Sequence, residues 1–223
     1  MGRSAAAVLF DLDGTLVDTA PDLVGALYQL LDEMKLGRPD FDKCRNRVSQ
    51  GARGLIHIGL GMTPEDAGYE EYRQRFLSHY EIRLSAQSAL FPGVDELLQQ
   101  LDQGAVPWGI ATNKPHRYAE PLLEDLGLLE RCQFLLTPDH VGAGKPDPAM
   151  VYRAVEQFEI DPEACWFIGD AEQDVVAGRA AGARTVVANW GYIGDLQTGA
   201  DWDADYLLDH PLDLIELLSA EAE

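Results

Sequence analysis

Hydrophobic positions in the second half of the chain follow two alternating patterns. Short apolar blocks, typical of buried strands, are separated by stretches in which apolar residues recur at helical spacing. The predicted strands cover 107–112, 133–137, 165–168, 184–188 and 206–208, and the predicted helices cover 94–101, 116–126, 148–158, 173–181 and 212–218. Strand and helix in turn, joined by short connections, predict an α/β fold with a Rossmann-like parallel sheet core and helices on both faces.

The first strand of this sheet is separated from the others by a long helical segment. Residues 5–10 form an apolar block that ends at Asp11, whereas residues 21–90 show no strand pattern. Capping residues followed by helical spacing predict one helix from Pro21 and another from Thr63. The glycine-bearing segment 45–62 is expected to hold a loop between shorter helices. The pattern therefore predicts an all-helical insert in a sheet that resumes after residue 90.

Composition and charge exclude some classes of function. The chain has 223 residues, with 17 Lys and Arg against 38 Asp and Glu, a formal net charge of −21 and a pI of about 4.4. Nucleic-acid binding is excluded because it needs clustered positive charge. No apolar run suits an export signal or a membrane span, so we expect neither. The 3 cysteines follow no metal-binding spacing and are expected to be reduced, which indicates the cytoplasm.

Reactive residue types follow four of the predicted strands, at the edge where ligands bind in such sheets. They are Asp11, Asp13 and Thr15, then Thr112, Asn113 and Lys114, then Lys145, and finally Asp170 and Asp174. Each alone has an ordinary explanation as a turn, a helix cap or a solvated lysine. Together they indicate one shared site. Several carboxylates so close require a cation, and Mg²⁺ prefers such oxygen ligands.

These groups, in this order, resemble the four motifs of the haloacid dehalogenase superfamily of aspartate-nucleophile phosphatases. The matching stretches are Asp11-Leu12-Asp13-Gly14-Thr15, Thr112-Asn113-Lys114, Lys145-Pro146, and Gly169-Asp170 with Asp174. The resemblance covers essentially the whole chain. It implies a catalytic core of residues 1–18 and 91–223 and a helical cap domain of residues 19–90. It also implies hydrolysis of a small phosphate monoester through an aspartyl-phosphate, with Mg²⁺ as cofactor.

The resemblance further implies a role for each motif residue. Asp11 would attack phosphorus, and Asp13 would protonate the leaving group and later take a proton from water. The residues expected to hold phosphate oxygens or substrate are Thr15, Thr112, Asn113, Lys114 and Lys145, of which Thr112 and Lys145 are counted as catalytic. The expected Mg²⁺ ligands are Asp11, the carbonyl of Asp13, and Asp170, with Asp174 in support. Dehalogenases of the superfamily lack the second acid, so Asp13 favours phosphate esters over carbon–halogen bonds.

The substrate is less explicit in the sequence. Residues 50–54 are expected to form a flexible, basic cap loop facing the cleft, in which Arg53 either binds a substrate carboxylate or is simply exposed. The overall layout resembles phosphoglycolate phosphatases. The stretches that look closer to N-acetylmuramic acid 6-phosphate phosphatases of cell-wall recycling are 108–115, 118–122, 138–141 and 191–193. N-acetylmuramic acid 6-phosphate is therefore the favoured substrate and 2-phosphoglycolate the alternative. A sugar phosphomutase and a non-catalytic regulator stay open, and the oligomeric state is not readable.

Overall fold

Parallel strands form the centre of the molecule, as the sequence predicts. The computed structural model describes residues 7–194 and 199–222, so Ala5 and Ala6 of the predicted first strand lie outside it. The strands within these ranges are β1 (Ala7–Phe10), β2 (Val17–Asp18), β3 (Ala89–Leu90), β4 (Trp108–Ala111), β5 (Leu135–Leu136), β6 (Cys165–Gly169), β7 (Arg184–Ala188) and β8 (Tyr206–Leu208). Six of them form one sheet in the order β5-β4-β1-β6-β7-β8, and every neighbouring pair is parallel. The predicted α/β core is confirmed.

The helices divide into an insert and two flanking layers. They are α1 (Ala20–Glu33), α2 (Phe41–Arg45), α3 (Gly51–Leu60), α4 (Tyr69–Ile82), α5 (Val94–Gln103), α6 (His116–Asp125), α7 (Pro138–Val141), α8 (Ala149–Phe158), α9 (Glu172–Ala181) and α10 (Asp213–Ala222). Helices α1 to α4 lie between β2 and β3 in sequence and are called the cap below. Among the described helices, none combines the length and the apolar character needed to cross a lipid bilayer.

Side chains of the central strands alternate between two hydrophobic cores, one on each face of the sheet. In β1, Val8 and Phe10 belong to one core, and Ala7 and Leu9 belong to the other. The first core includes residues of α5, α6 and α10 and continues into the cap, whereas the second includes residues of α8 and α9. Because both faces are covered, β1 is apolar at every position instead of alternating with polar residues.

A short antiparallel ribbon joins the cap to the core. Val17 pairs with Leu90 and Asp18 pairs with Ala89. The predicted absence of strand structure over residues 21–90 is therefore wrong at its last two positions. A strand of two residues is too short for an alternation of apolar and polar positions to be read from sequence.

Asp22 holds the chain segment that leaves the cap. Its side chain is fully buried, and Oδ2 accepts hydrogen bonds from the backbone N–H groups of Gln87 and Ser88 and from the Ser88 hydroxyl, each at 2.8 Å. The guanidinium of Arg83 lies 3.4 Å from Oδ1. The first turn of α1 is thereby tied to the segment that returns to β3.

The helix that the sequence predicts from Thr63 begins later in the structure. Helix α4 starts at Tyr69, not at Thr63. The carboxylate of Asp66 accepts hydrogen bonds from the backbone N–H and the hydroxyl of Thr63, at 2.7 and 3.0 Å. The capping residues therefore close a local turn instead of opening a helix, an alternative that short polar side chains always offer.

The glycine-bearing segment of the cap is mostly helical: the predicted shorter helices are present, whereas the loop expected between them is reduced to a turn at residues 46–47. A short 3₁₀-helix, Val48–Gln50, leads directly into α3. Two of its glycines, Gly54 and Gly59, permit close packing. A Cβ at Gly59 would lie 2.6 Å from a methyl carbon of Leu27, and one at Gly54 would lie 2.6 Å from the carbonyl oxygen of Arg47.

Candidate active site

The reactive residues meet at the carboxyl edge of the sheet. Asp11 follows β1, Thr112 follows β4 and Asp170 follows β6, and β4 and β6 are the two neighbours of β1. From β1 the chain forms β4 and β5 on one side of that strand and then crosses over to form β6 on its other side. This reversal of strand order leaves a crevice above β1. Four separate sequence motifs therefore come together through the strand order.

Two carboxylates contact one lysine in this crevice, and a third lies beside them. The ammonium of Lys145 lies 2.7 Å from Oδ1 of Asp11 and 2.7 Å from Oδ1 of Asp174, and it donates to the carbonyl oxygen of Ala111 at 3.0 Å. Oxygen atoms of Asp11, Asp170 and Asp174 all lie within 4.8 Å of one another, and all three residues are buried. The residues predicted to bind Mg²⁺ through their carboxylates are therefore adjacent.

The negative charge of this cluster exceeds its positive charge, and the pKa values reflect this. Burial raises the pKa of Asp11 to about 7, against the opposing effect of Lys145 and with a further increase from Asp174. Burial, Asp11 and Asp174 raise the pKa of Asp170 to about 8. Burial lowers the pKa of Lys145, but its two carboxylate partners outweigh this and raise the pKa above its ordinary value.

The donor set fits a divalent cation that prefers oxygen ligands. A single ammonium does not neutralise three buried carboxylates, and a bound Mg²⁺ would favour their ionised forms. Asp11 and Asp170 are the carboxylates that would hold it. Asp11 contacts Lys145 through Oδ1 alone and Asp170 forms no ion pair among the described residues, whereas Asp174 is engaged at Oδ1 by Lys145 and at Oδ2 by the backbone N–H of Ala171, at 3.1 Å. Asp174 therefore supports the cluster through Lys145.

Two glycines make room for Asp170, and sequence reasoning did not single them out for this. Gly14 has a φ of +92°, and a Cβ there would overlap the Asp170 carboxylate. A Cβ at Gly191 would overlap the Cβ of Asp170 and the carbonyl oxygen of Gly14. In sequence, Gly14 is visible as a member of the first motif and as half of an Asp-Gly turn pair. The close approach to a residue 156 positions away becomes visible only in the folded chain.

Asp170 also contacts the cap and the loop after β7. Oδ2 accepts hydrogen bonds from the Ser49 hydroxyl at 3.0 Å and from the backbone N–H of Tyr192 at 2.9 Å. The predicted substrate ligand Thr15 is fully buried and donates its hydroxyl to Oδ1 of Asp170 at 3.3 Å. Ser49 carries no motif signal of its own, whereas Tyr192 is part of the stretch 191–193 on which the substrate prediction partly rests.

Asp13 is held at a single oxygen. The hydroxyl of Thr19 donates to Oδ1 at 2.6 Å, and the ammonium of Lys114 lies 2.8 Å from the same atom. Sequence reasoning treated Thr19 only as a helix cap, but its side chain makes no capping hydrogen bond to α1. The Thr112 hydroxyl accepts a hydrogen bond from the backbone N–H of Lys114 at 3.1 Å.

Asn113 binds the backbone around Lys145. Its Oδ1 accepts from the Lys145 backbone N–H at 2.7 Å, and its Nδ2 donates to the Lys145 carbonyl oxygen at 2.9 Å. A Cβ on Gly144 would lie 2.7 Å from Asn113 Oδ1, so glycine permits this approach. The predicted substrate ligand Asn113 is therefore occupied in positioning the lysine of the next motif.

A cleft of about 1200 Å³ extends from these residues along the underside of the cap. The exposed side chain of Arg53 lies on its wall with the half-buried Arg47. Within the described ranges, no carboxylate forms an ion pair with either guanidinium. Arg53 belongs to the first turn of α3 and not to a flexible loop, so the loop predicted over 50–54 is wrong.

Comparison with known proteins identifies the class of this site. The family model described as haloacid dehalogenase-like hydrolase matches residues 8–188. An N-acetylmuramic acid 6-phosphate phosphatase from Pseudomonas putida is 41% identical over 214 residues, covering 96% of each chain. A phosphoglycolate phosphatase from Xanthomonas campestris pv. campestris is 38% identical over 215 residues, again covering 96% of each. The crystal structure of a predicted phosphoglycolate phosphatase from Haemophilus somnus superimposes with a TM-score of 0.84 at 25% identity, covering 96% of this chain and 97% of that one.

The chain belongs to the haloacid dehalogenase-like hydrolase family. Within that family it is a phosphoric monoester hydrolase, like the phosphatases named above. The resemblance stated from the four motifs is thereby confirmed. The family assignment leaves the individual roles of the motif residues as predictions.

Proposed function

We propose that this protein is a cytoplasmic, Mg²⁺-dependent phosphatase of N-acetylmuramic acid 6-phosphate that acts through an aspartyl-phosphate on Asp11. Its catalytic core comprises residues 1–18 and 91–223, and its cap domain comprises residues 19–90. The observation that carries the proposal is the cleft, which has the Asp11 cluster at one end. Along its wall lie two guanidinium groups of the cap that form no ion pair within residues 7–194 and 199–222. All 3 cysteines are buried and free, which supports a reducing compartment.

The first half of the reaction uses Asp11 and Asp13. A carboxylate oxygen of Asp11 forms a bond to phosphorus while the bond from phosphorus to the ester oxygen breaks. Asp13 gives its proton to the departing oxygen, so the alcohol leaves neutral and Asp13 becomes a carboxylate. Lys145 keeps Asp11 oriented through the 2.7 Å contact and places positive charge next to the phosphoryl group.

The second half regenerates the enzyme. Asp13 takes a proton from a water molecule whose oxygen forms a bond to phosphorus, and the bond between phosphorus and Asp11 breaks. Inorganic phosphate leaves, Asp11 is again a carboxylate and Asp13 is again protonated. A bound Mg²⁺, held by Asp11, Asp170 and the Asp13 carbonyl, would supply positive charge where the phosphoryl oxygens collect negative charge.

The size and charge of the cleft favour the larger of the two candidate substrates. Small-molecule sites usually have volumes of about 300–1,000 Å³, and the present cleft has about 1200 Å³. A two-carbon acid such as 2-phosphoglycolate would occupy little of this space, whereas an acylated amino sugar with a lactyl group would fill more. Both substrates carry a carboxylate, for which the planar guanidinium of Arg53 is a suitable partner. The relative at 41% identity supports the same choice.

The test is a comparison of kcat/KM for N-acetylmuramic acid 6-phosphate, 2-phosphoglycolate and glucose 6-phosphate, with release of inorganic phosphate as the readout. We expect N-acetylmuramic acid 6-phosphate to exceed 2-phosphoglycolate by at least about 10-fold. Replacing Arg53 by Met should raise KM about 10–100-fold for the two carboxylates, the value of a charged hydrogen bond, but not for glucose 6-phosphate. The matched control is Arg38→Met, because the guanidinium of Arg38 is exposed and pairs with Asp32 away from the cleft.

Three outcomes would contradict the proposal. A clear preference for 2-phosphoglycolate would make the alternative substrate correct. Isomerised sugar phosphate without free phosphate would indicate a phosphomutase. An equal increase in KM for all three esters with Arg53→Met would show that Arg53 does not bind the substrate carboxylate.

A further inference from the structure

Asp13 is bound on one oxygen only. Thr19 and Lys114 both reach Oδ1, at 2.6 and 2.8 Å. From the residues that the structure describes, Oδ2 accepts no hydrogen bond. The carboxyl group is thereby fixed in its plane, and Oδ2 is the oxygen left to exchange a proton with substrate or water.

Lys114 is not placed like a surface anchor for substrate. Its side chain is only 5% exposed, and its ammonium contacts Asp13 on one side and the ring of Tyr80 on the other, 4.8 Å from the ring centroid. Its backbone N–H is fixed by the Thr112 hydroxyl at 3.1 Å. A cation held between a carboxylate and an aromatic face has little freedom to move toward a ligand.

Tyr80 brings the cap into this arrangement. It lies on α4, is 2% exposed, and packs edge-on against Tyr118 of α6 with ring centroids 5.6 Å apart. Its hydroxyl is buried and makes no hydrogen bond of ordinary geometry among the described residues, although the Lys114 ammonium also interacts with it. The position of Tyr80 is therefore set by ring packing, and its aromatic face is what Lys114 contacts.

We propose that Lys114 is a positioning residue for the acid–base Asp13 and not a substrate ligand, and that Tyr80 of the cap holds Lys114 in place. The inference rests on the proposed function, in which Asp13 Oδ2 gives its proton to the ester oxygen as the bond to phosphorus breaks. Lys114 transfers no proton. It keeps Oδ2 aimed at the leaving oxygen once α4 covers the site. Lys114 and Tyr80 therefore matter for esters of ordinary alcohols, whose oxygen needs a proton to leave.

The leaving group of the substrate separates positioning from binding. The p-nitrophenolate ion leaves without a proton, whereas a sugar or alkyl alkoxide does not. We expect Lys114→Met to lower the single-turnover rate of alcohol release about 10²–10³-fold on an alkyl ester with KM changed less than about threefold, and to lower the burst rate of p-nitrophenolate release less than about 10-fold. Leaving-group release is measured because hydrolysis of the aspartyl-phosphate uses Asp13 with both esters and would slow steady-state turnover equally. Lys114→Arg should restore part of the lost rate, because a guanidinium can still contact Asp13. Lys35→Met removes an exposed lysine outside the cleft and is the matched control.

Variants of Tyr80 test the contribution of the cap. Tyr80→Leu removes the aromatic face and should lower the single-turnover rate of leaving-group release about 10-fold on the alkyl ester only, whereas Tyr80→Phe keeps the face and should stay close to the wild type. This pair keeps the inference testable if Lys114→Met does not fold, as judged by thermal unfolding. A rise in KM on both kinds of ester with Lys114→Met, or equal losses in the rate of leaving-group release on both, would overturn the inference.

The alkyl ester is N-acetylmuramic acid 6-phosphate or 2-phosphoglycolate, whichever the wild type hydrolyses. A wrong substrate assignment would therefore change the ester used but not the comparison between leaving groups. If the wild type hydrolyses neither alkyl ester nor p-nitrophenyl phosphate, both the proposed function and this inference are wrong.

Discussion

Replacing Asp11 by Asn should abolish turnover and at the same time stabilise the metal-free protein. Asn has nearly the same shape as a protonated carboxyl group but cannot ionise. In the wild type, ionisation of Asp11 is opposed by its burial, and the pKa is raised from 3.8 to about 7. The buried charge of Asp11 therefore lowers the free energy of unfolding of the wild type, and the variant lacks that charge.

The magnitude follows from this pKa change. Because the pKa is raised on folding, the stability contributed by the protonated form is fully present below about pH 3.8 and is lost as the pH rises to about 7. One unit corresponds to about 1.4 kcal/mol, which gives an upper value of about 4 kcal/mol above pH 7. The opposing attraction of Lys145 is already contained in this pKa. We expect a net increase in the free energy of unfolding of about 2–4 kcal/mol at pH 8.

Urea unfolding in the presence of a chelator measures this change. The advantage of Asp11→Asn should be largest at pH 8 and shrink toward pH 5. Adding Mg²⁺ should stabilise the wild type more than the variant and narrow the gap, because ligand binding to the folded state adds to its stability. Turnover should fall at least about 10⁴-fold, the scale of losing a nucleophile. Asp161→Asn, an exposed acid whose side chain makes no capping hydrogen bond, is the control.

Two results would refute the reasoning. One is a variant that is no more stable than the wild type at pH 8 without metal, which would mean that the ionised Asp11 costs the fold nothing. The other is retention of turnover, which would remove Asp11 from the role of nucleophile.

Two further predictions concern the metal and the cap. Asp170→Asn should weaken Mg²⁺ binding about 10–100-fold, as measured by calorimetry. Because the pKa of Asp170 is raised to about 8, the Mg²⁺ affinity of the wild type should also increase from pH 6 to pH 8. Binding that does not depend on pH would contradict this prediction. Asp22→Ala leaves three donors and the Arg83 guanidinium without their buried acceptor and should cost about 3–5 kcal/mol in urea unfolding. Asp32→Ala, which removes an exposed partner of Arg38, should change little, and equal losses in the two variants would count against the role of Asp22.

The sequence predicted the core of the fold because its signals are local. A strand covered on both faces is apolar at every position, as in β1 and β6, and an amphipathic helix repeats its apolar residues every three to four positions. The boundaries failed where a local signal had two outcomes. Thr63 and Asp66 carry the residue types of a helix start and form a turn, and the glycines of α3 suggest a loop although they permit helix packing.

The candidate site was predictable as a set of residues but not as a set of contacts. The motif positions of Asp11, Asp170 and Lys145 follow from the order of residue types along the chain. The contacts that each predicted ligand makes do not follow from that order. Thr15 donates to Asp170, and Lys114 contacts Asp13 and an aromatic ring of the cap. No spacing rule links these positions, because they lie on different elements.

By itself, the sequence of this protein determined the order of the strands of the main sheet and of its longer flanking helices, the presence of a helical insert and the four groups of reactive residues. These depend on neighbours along the chain, where periodicity and capping residues are read directly. Only the tertiary structure decided which carboxylate shares Lys145, which glycines admit Asp170 and which cap residue meets Lys114. Those contacts join residues far apart in sequence, and the burial that raises the pKa values of Asp11 and Asp170 exists only once the sheet and the cap enclose them.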